Sequence, residues 1–260
     1  MIDTGLSGRT VLVTGAVNGI GEATSRAFAR QGAKVAAHWY RGGENPEGVS
    51  YAHTTARAEQ AEALVRALRE DGAEDAAPFP ADLSRPDAAG DLLNAVTERL
   101  GPVDVLVNNA AHCEVPDGTA ELTFEGLERT YRVNTFTPAL LTAGLARRGR
   151  EAAVVNISTD AARAFPGQVG YGTSKAALEA FTRAAALDLG PHGIRVNAVA
   201  PGPVQTGWMP DDLIEQVVPR IPLRRVGLPE DIADAVVHLA SHQSRWVSGQ
   251  VLQVAGGHAL

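Results

Sequence analysis

The stretch that decides the fold is Arg9-Thr10-Val11-Leu12-Val13-Thr14-Gly15-Ala16-Val17-Asn18-Gly19-Ile20-Gly21. Its first part, Arg9 to Thr14, is a short apolar run typical of a buried strand, and a helical pattern that stops at Gly32 follows the glycines. Glycines before a helix N-terminus let the backbone approach a pyrophosphate, whose charge is favoured by the exposed N–H groups and the helix dipole. A glycine loop alone could be only a tight turn. Its place between a first strand and a first helix predicts a dinucleotide-binding site.

Short apolar strands alternate with helical patterns from end to end of the chain, and no linker, repeat or low-complexity segment interrupts them. This alternation predicts a single α/β domain over residues 1–260, with a doubly wound parallel sheet covered by helices on both faces. The strand predicted at about Ala76 to Ala81 contains Pro78 and Pro80, which remove backbone donors on one side only, so it is expected at the edge of the sheet. One continuous helix is predicted from about Thr123 to Arg147.

Composition excludes several classes of function. The 260 residues are 45% apolar and 20% charged, and a net charge of −7 with scattered Arg argues against a nucleic-acid partner, which needs a basic patch. The single cysteine, Cys113, excludes an internal disulfide and fits a reducing compartment. The first residues lack the basic and apolar regions of a signal peptide, and no apolar stretch approaches ~18 residues. A soluble, cytoplasmic protein that does not enter a membrane is expected.

A second informative pattern runs from Ser158 to Lys175. Tyr171 and Lys175 are four residues apart in a helical pattern, so they share one helix face. The chain has 21 Arg but only two Lys, which indicates that the compact ammonium of Lys175 serves a purpose that Arg cannot. A nearby positive charge stabilises phenolate, so the pKa of Tyr171 is predicted to fall below its usual ~10. Ser158, at the end of the preceding strand, could hold a substrate oxygen beside the phenol.

The end of the second strand, Lys34 to Trp39, predicts the cofactor. An acidic side chain at that point accepts a hydrogen bond from the ribose 2′-hydroxyl of NAD, whereas an Arg accommodates the 2′-phosphate of NADP. The chain continues into Tyr40 and Arg41 and meets no acid before Glu44. NADP is therefore favoured, with Arg41 as the phosphate contact. The alternatives are NAD as the cofactor and Arg41 as a solvated loop residue. No role can be predicted for the long polar loop at about residues 42–55.

Further short motifs follow along the chain. They are Thr14-Gly15-x-x-x-Gly19-Ile20-Gly21, Asn108-Asn109-Ala110, Asn134, Ser158, Tyr171-x-x-x-Lys175, Pro201-Gly202, Pro229-Glu230-Asp231-Ile232-Ala233 and Ser248-Gly249-Gln250. In order and spacing they resemble the short-chain dehydrogenase/reductase family over nearly the whole chain, most closely its 3-oxoacyl-carrier-protein reductase-like members. The resemblance implies a Rossmann sheet of seven strands, a nicotinamide cofactor and a homotetramer or homodimer. It also implies an oxidoreductase that transfers a hydride between nicotinamide and a carbonyl or secondary alcohol.

The resemblance implies roles for individual residues. Tyr171 would be the general acid in reduction and the base in oxidation, and Lys175 would tune it and bind the nicotinamide ribose. Ser158 would orient the carbonyl, Asn134 would hold a proton-relay water, and Asp82 would touch the adenine. The residues expected at the cofactor are Gly15, Asn18, Gly19, Ile20, Gly21, Trp39, Tyr40, Arg41, Asp82, Leu83, Asn108, Ala110, Ala111, Tyr171, Lys175, Pro201, Gly202, Val204 and Thr206.

Three positions depart from the family pattern. Ala111 stands where Gly usually follows Asn-Asn-Ala, a change that need not abolish cofactor binding. Asn18 occupies a position that many NADP-preferring relatives fill with Arg, which argues against NADP. The stretch Val254 to Gly257 lacks the usual Asp before its two glycines, and this change is expected to be structural.

Candidate substrate contacts lie on both sides of Tyr171. Thr206 to Arg220 has one apolar face and predicts a helical lid at about residues 206–222, although such a stripe is also typical of simple packing. Arg163 could meet an anionic group or be a solvated side chain. The candidate substrate contacts are Thr159, Asp160, Phe165, Gln168, Trp208 and Met209.

Other chemistries have weaker support. His238 and His242 have ligand spacing but no third ligand, so no metal site is expected. Ser158 lacks a legible His–Asp pair, which argues against a hydrolase, and Cys113 is interpreted as an unreactive thiol. The complete set of Asn134, Ser158, Tyr171 and Lys175 favours an enzyme. The alternative is a non-catalytic dinucleotide-binding regulatory or scaffold protein.

Overall fold

A computed structural model describes residues 3–43, 47–51, 55–164, 166–207, 209 and 211–258. Its strands are β1 (Thr10–Val13), β2 (Lys34–Trp39), β3 (Ser50–Tyr51), β4 (Asp75–Pro80), β5 (Val105–Asn108), β6 (Glu114–Val115), β7 (Ala152–Ile157), β8 (Ile194–Pro201) and β9 (Val251–Val254). Seven of these form one parallel sheet in the order β4-β2-β1-β5-β7-β8-β9, and β3 pairs with β6 in a separate antiparallel ribbon. The predicted seven-stranded, doubly wound sheet is confirmed.

Helices connect the strands and cover both faces of the sheet. They are α1 (Gly19–Ala29), α2 (Ala58–Glu70), α3 (Ala88–Leu100), α4 (Phe124–Tyr131), α5 (Thr137–Ala146), α6 (Val169–Leu189), α7 (Asp211–Val217) and α8 (Pro229–Ala240). In the part of the chain that the structure describes, no helix combines the length and the apolar character needed to span a membrane.

The central strand β1 shows how the core is divided. Successive side chains of a strand point to opposite faces of the sheet. Val11 and Val13 are fully buried against α1, α2 and α8, and Leu12 is fully buried against α3, α5 and α6. Because both faces are covered, the strand is a continuous apolar run instead of an alternating one.

β4 lies at one edge of the sheet, as its two prolines predict. It pairs with β2, with Pro78 opposite Ala37 and Pro80 opposite Trp39. A proline lacks the backbone donor of a ladder, so it is tolerated where that side of the strand has no neighbour. The edge position is confirmed.

The helix predicted from about Thr123 to Arg147 is present from Phe124 to Ala146, but its middle is not α-helical. A π-helical segment, Arg132–Phe136, separates α4 from α5. Such a segment is a local bulge in a helix and is frequent at functional sites. Asn134 lies in this bulge, where its buried side chain contacts the backbone of His112 and the hydroxyl of Ser174. Apolar periodicity alone does not reveal a one-residue bulge.

Candidate active site

One cleft lies at the carboxyl ends of the parallel strands. It has a volume of about 410 Å³ and opens beyond β1 and β5, the neighbouring strands at which the strand order reverses. Ligands of open parallel sheets bind at such a point. The predicted cofactor residues that line the cleft are Gly15, Asn18, Gly19, Ile20, Trp39, Tyr40, Asp82, Leu83, Ala110, Ala111, Tyr171, Lys175, Pro201, Gly202, Val204 and Thr206.

Three predicted cofactor residues do not line the described walls of the cleft. Gly21 is buried in the first turn of α1, beneath the loop. Asn108 donates a 2.8 Å hydrogen bond to Asn156 Oδ1 inside the core, so its side chain supports the sheet. Arg41 is exposed just beyond Tyr40, outside the cleft itself.

The glycine-rich loop forms one wall of the cleft. Gly15 has a φ of +64°, which residues with side chains rarely adopt, and a Cβ on Gly21 would collide with the Gly15 carbonyl oxygen. Asn109 holds the loop from the neighbouring strand, because its Nδ2 donates to the carbonyls of Thr14 (2.9 Å) and Gly15 (3.0 Å). The loop is therefore fixed in a shape that lets a phosphate approach its backbone.

His38 supports the same loop from β2 and was not predicted as a site residue. The Gly15 backbone N–H donates to His38 Nδ1 at 3.0 Å, and Nε2, which lies 3.1 Å from the Ala81 carbonyl, donates to it. Burial lowers the pKa of His38 to about 4, against smaller raising effects of the Ala81 hydrogen bond and Asp82. The imidazole is therefore neutral at pH 7, as an acceptor at Nδ1 requires.

The cleft fits a nicotinamide dinucleotide. Its volume falls within the roughly 300–1,000 Å³ of small-molecule sites. Gly15 and Gly19 leave room for a ligand at the loop backbone, and Asp82 lines the cleft. The contact of Asp82 with the adenine, implied by the family pattern, stays a prediction. Asp82 Oδ1 accepts from the Ser84 backbone N–H at 2.9 Å and from Ser84 Oγ at 2.7 Å, so the carboxylate is held in place.

Tyr171 lies in the first turn of α6, two residues after the helix begins at Val169. The Asp117 carboxylate caps this turn, since its oxygens accept from the backbone N–H groups of Gly170 (2.8 Å) and Tyr171 (2.9 Å). A carboxylate suits this place because a helix N-terminus presents unpaired donors and the positive end of its dipole. Asp117 was missed because it is 54 residues away from Tyr171 in the sequence.

Lys175 is almost completely buried one turn further along α6. Its side chain is 1% exposed, and Nζ donates a 2.7 Å hydrogen bond to the Ile157 carbonyl at the end of β7. Nζ lies 5.9 Å from the centroid of the Tyr171 ring. Burial lowers the pKa of Lys175 to about 8, because the ammonium loses its hydration. The structure thus brings both side chains to one side of the cleft.

The prediction that the pKa of Tyr171 falls below its usual value is wrong. Burial raises the pKa of the phenol, and the negative charge of Asp160 adds to this effect. The hydrogen bond with Thr159 acts in the opposite direction but does not outweigh burial. The Lys175 ammonium is directed at the Ile157 carbonyl instead of at the phenol oxygen.

Ser158 and Thr159 both line the cleft, but their hydroxyls face different partners. Ser158 Oγ donates a 2.8 Å hydrogen bond to Glu179 Oε1 on α6. The Thr159 side chain interacts with the Tyr171 phenol and lowers its pKa, although burial outweighs this effect. The side chain that interacts with the phenol therefore belongs to Thr159, which the sequence marked only as a candidate substrate contact.

Asn134 lies behind the wall of the cleft. Its Oδ1 accepts from the His112 backbone N–H at 2.7 Å, and its Nδ2 donates to the His112 carbonyl at 2.8 Å and to Ser174 Oγ at 2.9 Å. Both amide hydrogens are therefore used in joining the segment after β5 to α6. The role of holding a relay water, implied by the family pattern, stays a prediction.

The candidate substrate contacts are separated by the structure. Thr159 lines the cleft, whereas Asp160 is buried with Oδ2 2.6 Å from His258 Nδ1. Gln168 and Met209 are not on the described walls of the cleft. Phe165 and Trp208 lie outside the described residues. Helix α7 falls in the range predicted for a lid, and its role as a lid stays a prediction.

The polar loop whose role could not be predicted contributes to the cleft through the ribbon of β3 and β6. Tyr51 in β3 lines the cleft, with its ring edge-on to His112 at 4.6 Å between centroids. Glu114 in β6 accepts from Arg129 Nε at 2.6 Å and lies 2.9 Å from His112 Nε2. Burial would raise the pKa of Glu114, but the hydrogen bonds from Arg129 and His112 lower it. This charged cluster therefore fixes the wall around Tyr51.

Cys113 and the two histidines of α8 and its continuation carry no site chemistry. Burial, with the nearby charges of Asp117 and Glu114, raises the pKa of Cys113 to about 12, so its thiol stays protonated. His238 lies in α8 but His242 lies in the 3₁₀ helix that follows, so they do not share one helical face. Within the described ranges, no group of three or more His, Cys, Asp or Glu could hold a metal ion.

Comparison with known proteins identifies the family. The family model described as Enoyl-(Acyl carrier protein) reductase matches residues 15–259. The glucose and ribitol dehydrogenase of Daucus carota is 36% identical over 259 residues, which cover 97% of this chain and 85% of that protein. The chain belongs to the short-chain dehydrogenase/reductase family of NAD(P)-dependent oxidoreductases.

Two solved structures share the whole fold. The promiscuous reductase LugOII, which catalyses keto-reduction at C1 during lugdunomycin biosynthesis, is 34% identical, with a TM-score of 0.85 over 98% of this chain and 99% of that chain. The angucycline C-6 ketoreductase LanV, solved with bound NADP, is 31% identical, with a TM-score of 0.85 over 98% of this chain and 96% of that chain. The Rossmann fold predicted from the sequence is thereby confirmed.

Proposed function

We propose that the protein is an NADP-dependent ketoreductase that works on small to medium carbonyl compounds and oxidises the matching secondary alcohols in reverse. The observation that carries this proposal is that Tyr171 and Thr159 line one cleft together with the buried Lys175, which donates to the end of β7. A carbonyl oxygen placed between the Tyr171 and Thr159 hydroxyls would meet a proton donor and a second hydroxyl together. The keto-reduction named for LugOII and the bound NADP named for LanV support the assignment.

The reaction needs a proton donor that is protonated at rest. NADP, when bound, supplies the hydride chemistry at its nicotinamide. Burial raises the pKa of Tyr171, so the phenol holds its proton until a carbonyl oxygen takes it. General acid help of this kind contributes ~10² to 10⁴ in rate. The nearby Lys175 ammonium would stabilise the phenolate left behind.

Thr159 is the residue that we assign to the substrate carbonyl, in place of Ser158. A threonine hydroxyl offers the same donor and acceptors as that of a serine. The Ser158 hydroxyl donates to Glu179 at 2.8 Å, whereas the Thr159 hydroxyl makes a longer bond of 3.4 Å to Asp160 and interacts with Tyr171. Ser158 would then support the site by joining the end of β7 to α6.

The choice of NADP is supported by the end of β2. Trp39 and Tyr40 line the cleft, and Arg41 follows with an exposed side chain. From Trp39 to Gly43 there is no acidic residue that could bind the 2′-hydroxyl of NAD. A guanidinium binds phosphate by paired hydrogen bonds, so Arg41 is assigned to the 2′-phosphate. Replacing it, as Arg41→Ala, should weaken NADPH binding about tenfold and leave NADH binding unchanged.

We also propose that the protein is a cytoplasmic homodimer or homotetramer. Large apolar side chains are exposed on the π-helical segment, α5 and α6, with Phe136 at 51%, Leu140 at 44% and Leu187 at 80% exposed. An interface between protein chains would cover exposed apolar surface of this kind. A monomeric mass in solution would contradict the oligomer.

The test of the proposed function is a binding and turnover experiment on the purified protein. NADPH and NADH are titrated separately by nicotinamide fluorescence, and NADPH oxidation is then followed with a broad panel of ketones and aldehydes. Preferred binding of NADPH and turnover of at least one carbonyl are expected. Binding without turnover of any carbonyl, or of any alcohol with NADP, would favour the non-catalytic alternative.

A further inference from the structure

The segment after β9 returns to the loop that carries Thr159. Gly256 and Gly257 have φ values of +61° and +88°, and this turn places His258 beside Asp160. His258 Nδ1 lies 2.6 Å from Asp160 Oδ2, and the two side chains are only 14% and 9% exposed. The segment that follows the two glycines therefore ends in a largely buried histidine–carboxylate pair next to the site.

The pair continues towards the phenol through Thr159. The second oxygen of Asp160, Oδ1, accepts from Thr159 Oγ1 at 3.4 Å. Thr159 and Tyr171 both line the cleft, and the Thr159 side chain interacts with the phenol. His258 is thereby connected to the phenol through Asp160 and Thr159, although 87 positions separate the two ends in the sequence.

The single proton of the Thr159 hydroxyl has two competing acceptors. Its oxygen already accepts from the Ala161 backbone N–H at 3.2 Å, so the proton points either to Asp160 or to Tyr171. A bare carboxylate is a strong acceptor and would hold this proton. A carboxylate that accepts from His258 as well shares its charge and holds the proton less strongly.

We propose that His258 is a positioning residue for proton transfer by Tyr171, acting through Asp160 and Thr159. By donating to Asp160 Oδ2, the imidazole leaves the Thr159 proton available to the phenolate that forms when Tyr171 has protonated a carbonyl oxygen. The inference rests on the proposed ketoreductase function. It assigns a role to the C-terminal segment in the chemistry of a site built on β7 and α6.

A purely structural role and a positioning role of His258 lead to different kinetics. If His258 only held the loop in place, its loss would change cofactor binding, the KM for the carbonyl and stability together. A positioning residue changes kcat while the affinity for NADPH stays the same. A variant that restores the hydrogen bond but not the imidazole should restore kcat.

The experiment compares His258→Ala, His258→Asn and Asp160→Asn with wild type, with His192→Ala as the control. His192 is an exposed histidine in the 3₁₀ helix after α6, and it is not one of the residues that connect His258 to Tyr171. Each protein is tested for kcat and KM with a carbonyl found in the panel, and for its Kd for NADPH. We expect His258→Ala to lose about fivefold in kcat, which is the effect of one lost hydrogen bond, with the Kd for NADPH unchanged. His258→Asn, in which the amide nitrogen takes the place of Nδ1, should keep most of the wild-type kcat.

The outcomes separate this inference from the proposed function. A wild-type protein with no turnover contradicts the proposed function. The hydrogen bond between His258 and Asp160 is then tested by ¹⁵N NMR. A His258 Nδ1 signal that does not move in Asp160→Asn would overturn the inference. In an active protein, wild-type kcat in His258→Ala, or a loss that Asn does not restore, would overturn it. If His258→Ala does not fold, Asp160→Asn decides, and a kcat equal to that of wild type would overturn the inference.

Discussion

The Asp117 carboxylate accepts a 2.9 Å hydrogen bond from the backbone N–H of Tyr171, so the residue expected to move the proton is fixed by a side chain from a distant loop. The second carboxylate oxygen accepts from Gly170, and a Cβ at Gly170 would press against it at 2.8 Å. The cap thus sets both the start of α6 and the position of the phenol.

Asp117→Ala should therefore reduce stability and activity together. Loss of a helix cap costs about 1 kcal/mol, within a range of ~0.5–2 kcal/mol. The matched control is Thr123→Ala, which removes the side-chain cap of α4, where Thr123 Oγ1 accepts from Gly126 at 3.1 Å. Urea unfolding should show similar losses for both variants, with a larger fall in kcat for Asp117→Ala. Equal kcat in the two variants would show that the cap does not position Tyr171.

Thr159→Ala should lower kcat more than Ser158→Ala. Removing a hydroxyl that contacts the reacting oxygen costs about 10- to 100-fold, whereas Ser158→Ala removes only the hydrogen bond to Glu179. Thr159→Ser, which keeps the hydroxyl, is the conservative control. The measurement is initial-rate NADPH oxidation at saturating carbonyl. A larger loss in Ser158→Ala than in Thr159→Ala would return the carbonyl-orienting role to Ser158.

Lys175→Met should stabilise the protein without cofactor and abolish most of its activity. The folded-state pKa of Lys175, about 8, lies below its usual 10.5, so between these values the unfolded chain binds more protons and stability rises with pH. Below pH 8 the full cost of burying the ammonium is present. After allowing for the lost hydrogen bond to Ile157, the gain at pH 7 should be about 2 kcal/mol and should shrink towards pH 10.5.

Lys34→Met is the matched control for that change, since Lys34 is the second lysine and forms a surface ion pair with Glu74 at 3.1 Å. Its effect on the free energy of unfolding should stay below ~1 kcal/mol at every pH. Urea titrations at pH 7 and 10 would measure both variants. A Lys175→Met protein that is less stable than wild type at pH 7 would contradict the cost assigned to the buried ammonium.

His38 should make the fold sensitive to acid. Its folded-state pKa of about 4 lies below the usual 6.5, so the unfolded chain binds more protons in this window and stability is lost as pH falls from 6.5 to 4. The loss from His38 alone should be about 2 kcal/mol at pH 5. His38→Asn should have a smaller fall in unfolding free energy between pH 7 and 5, because Asn does not titrate. Parallel pH dependences of the two proteins would show that His38 is not the sensitive group.

The architecture could be predicted because it depends on local patterns. Apolar runs followed by helical periods gave the seven strands, and Pro78 and Pro80 marked the edge strand correctly. The π-helical segment at Arg132–Phe136 could not be predicted, because one extra residue in a turn leaves apolar spacing nearly unchanged. The β3–β6 ribbon was missed for a different reason, since strands of two residues are too short to show a period.

The candidate site could be predicted where residues act through their own backbone position. The glycine loop, Tyr171 and Lys175 lie at the cleft as expected. Supporting contacts such as Asp117 with Tyr171 and Asp160 with His258 join distant segments, and a single sequence carries no signal for them. The pKa of Tyr171 was predicted in the wrong direction because spacing shows a nearby charge but not the depth of burial.

The most direct test of the central claim is Tyr171→Phe, which removes one hydroxyl from a largely enclosed ring. Nicotinamide fluorescence would give the Kd for NADPH, and a single-turnover experiment with excess enzyme would give the rate of the chemical step. The account predicts an unchanged Kd and a loss of at least about 10²-fold in that rate, the contribution of general acid catalysis. A Tyr171→Phe protein that reduces the carbonyl at the wild-type rate would contradict the assignment of proton transfer to Tyr171.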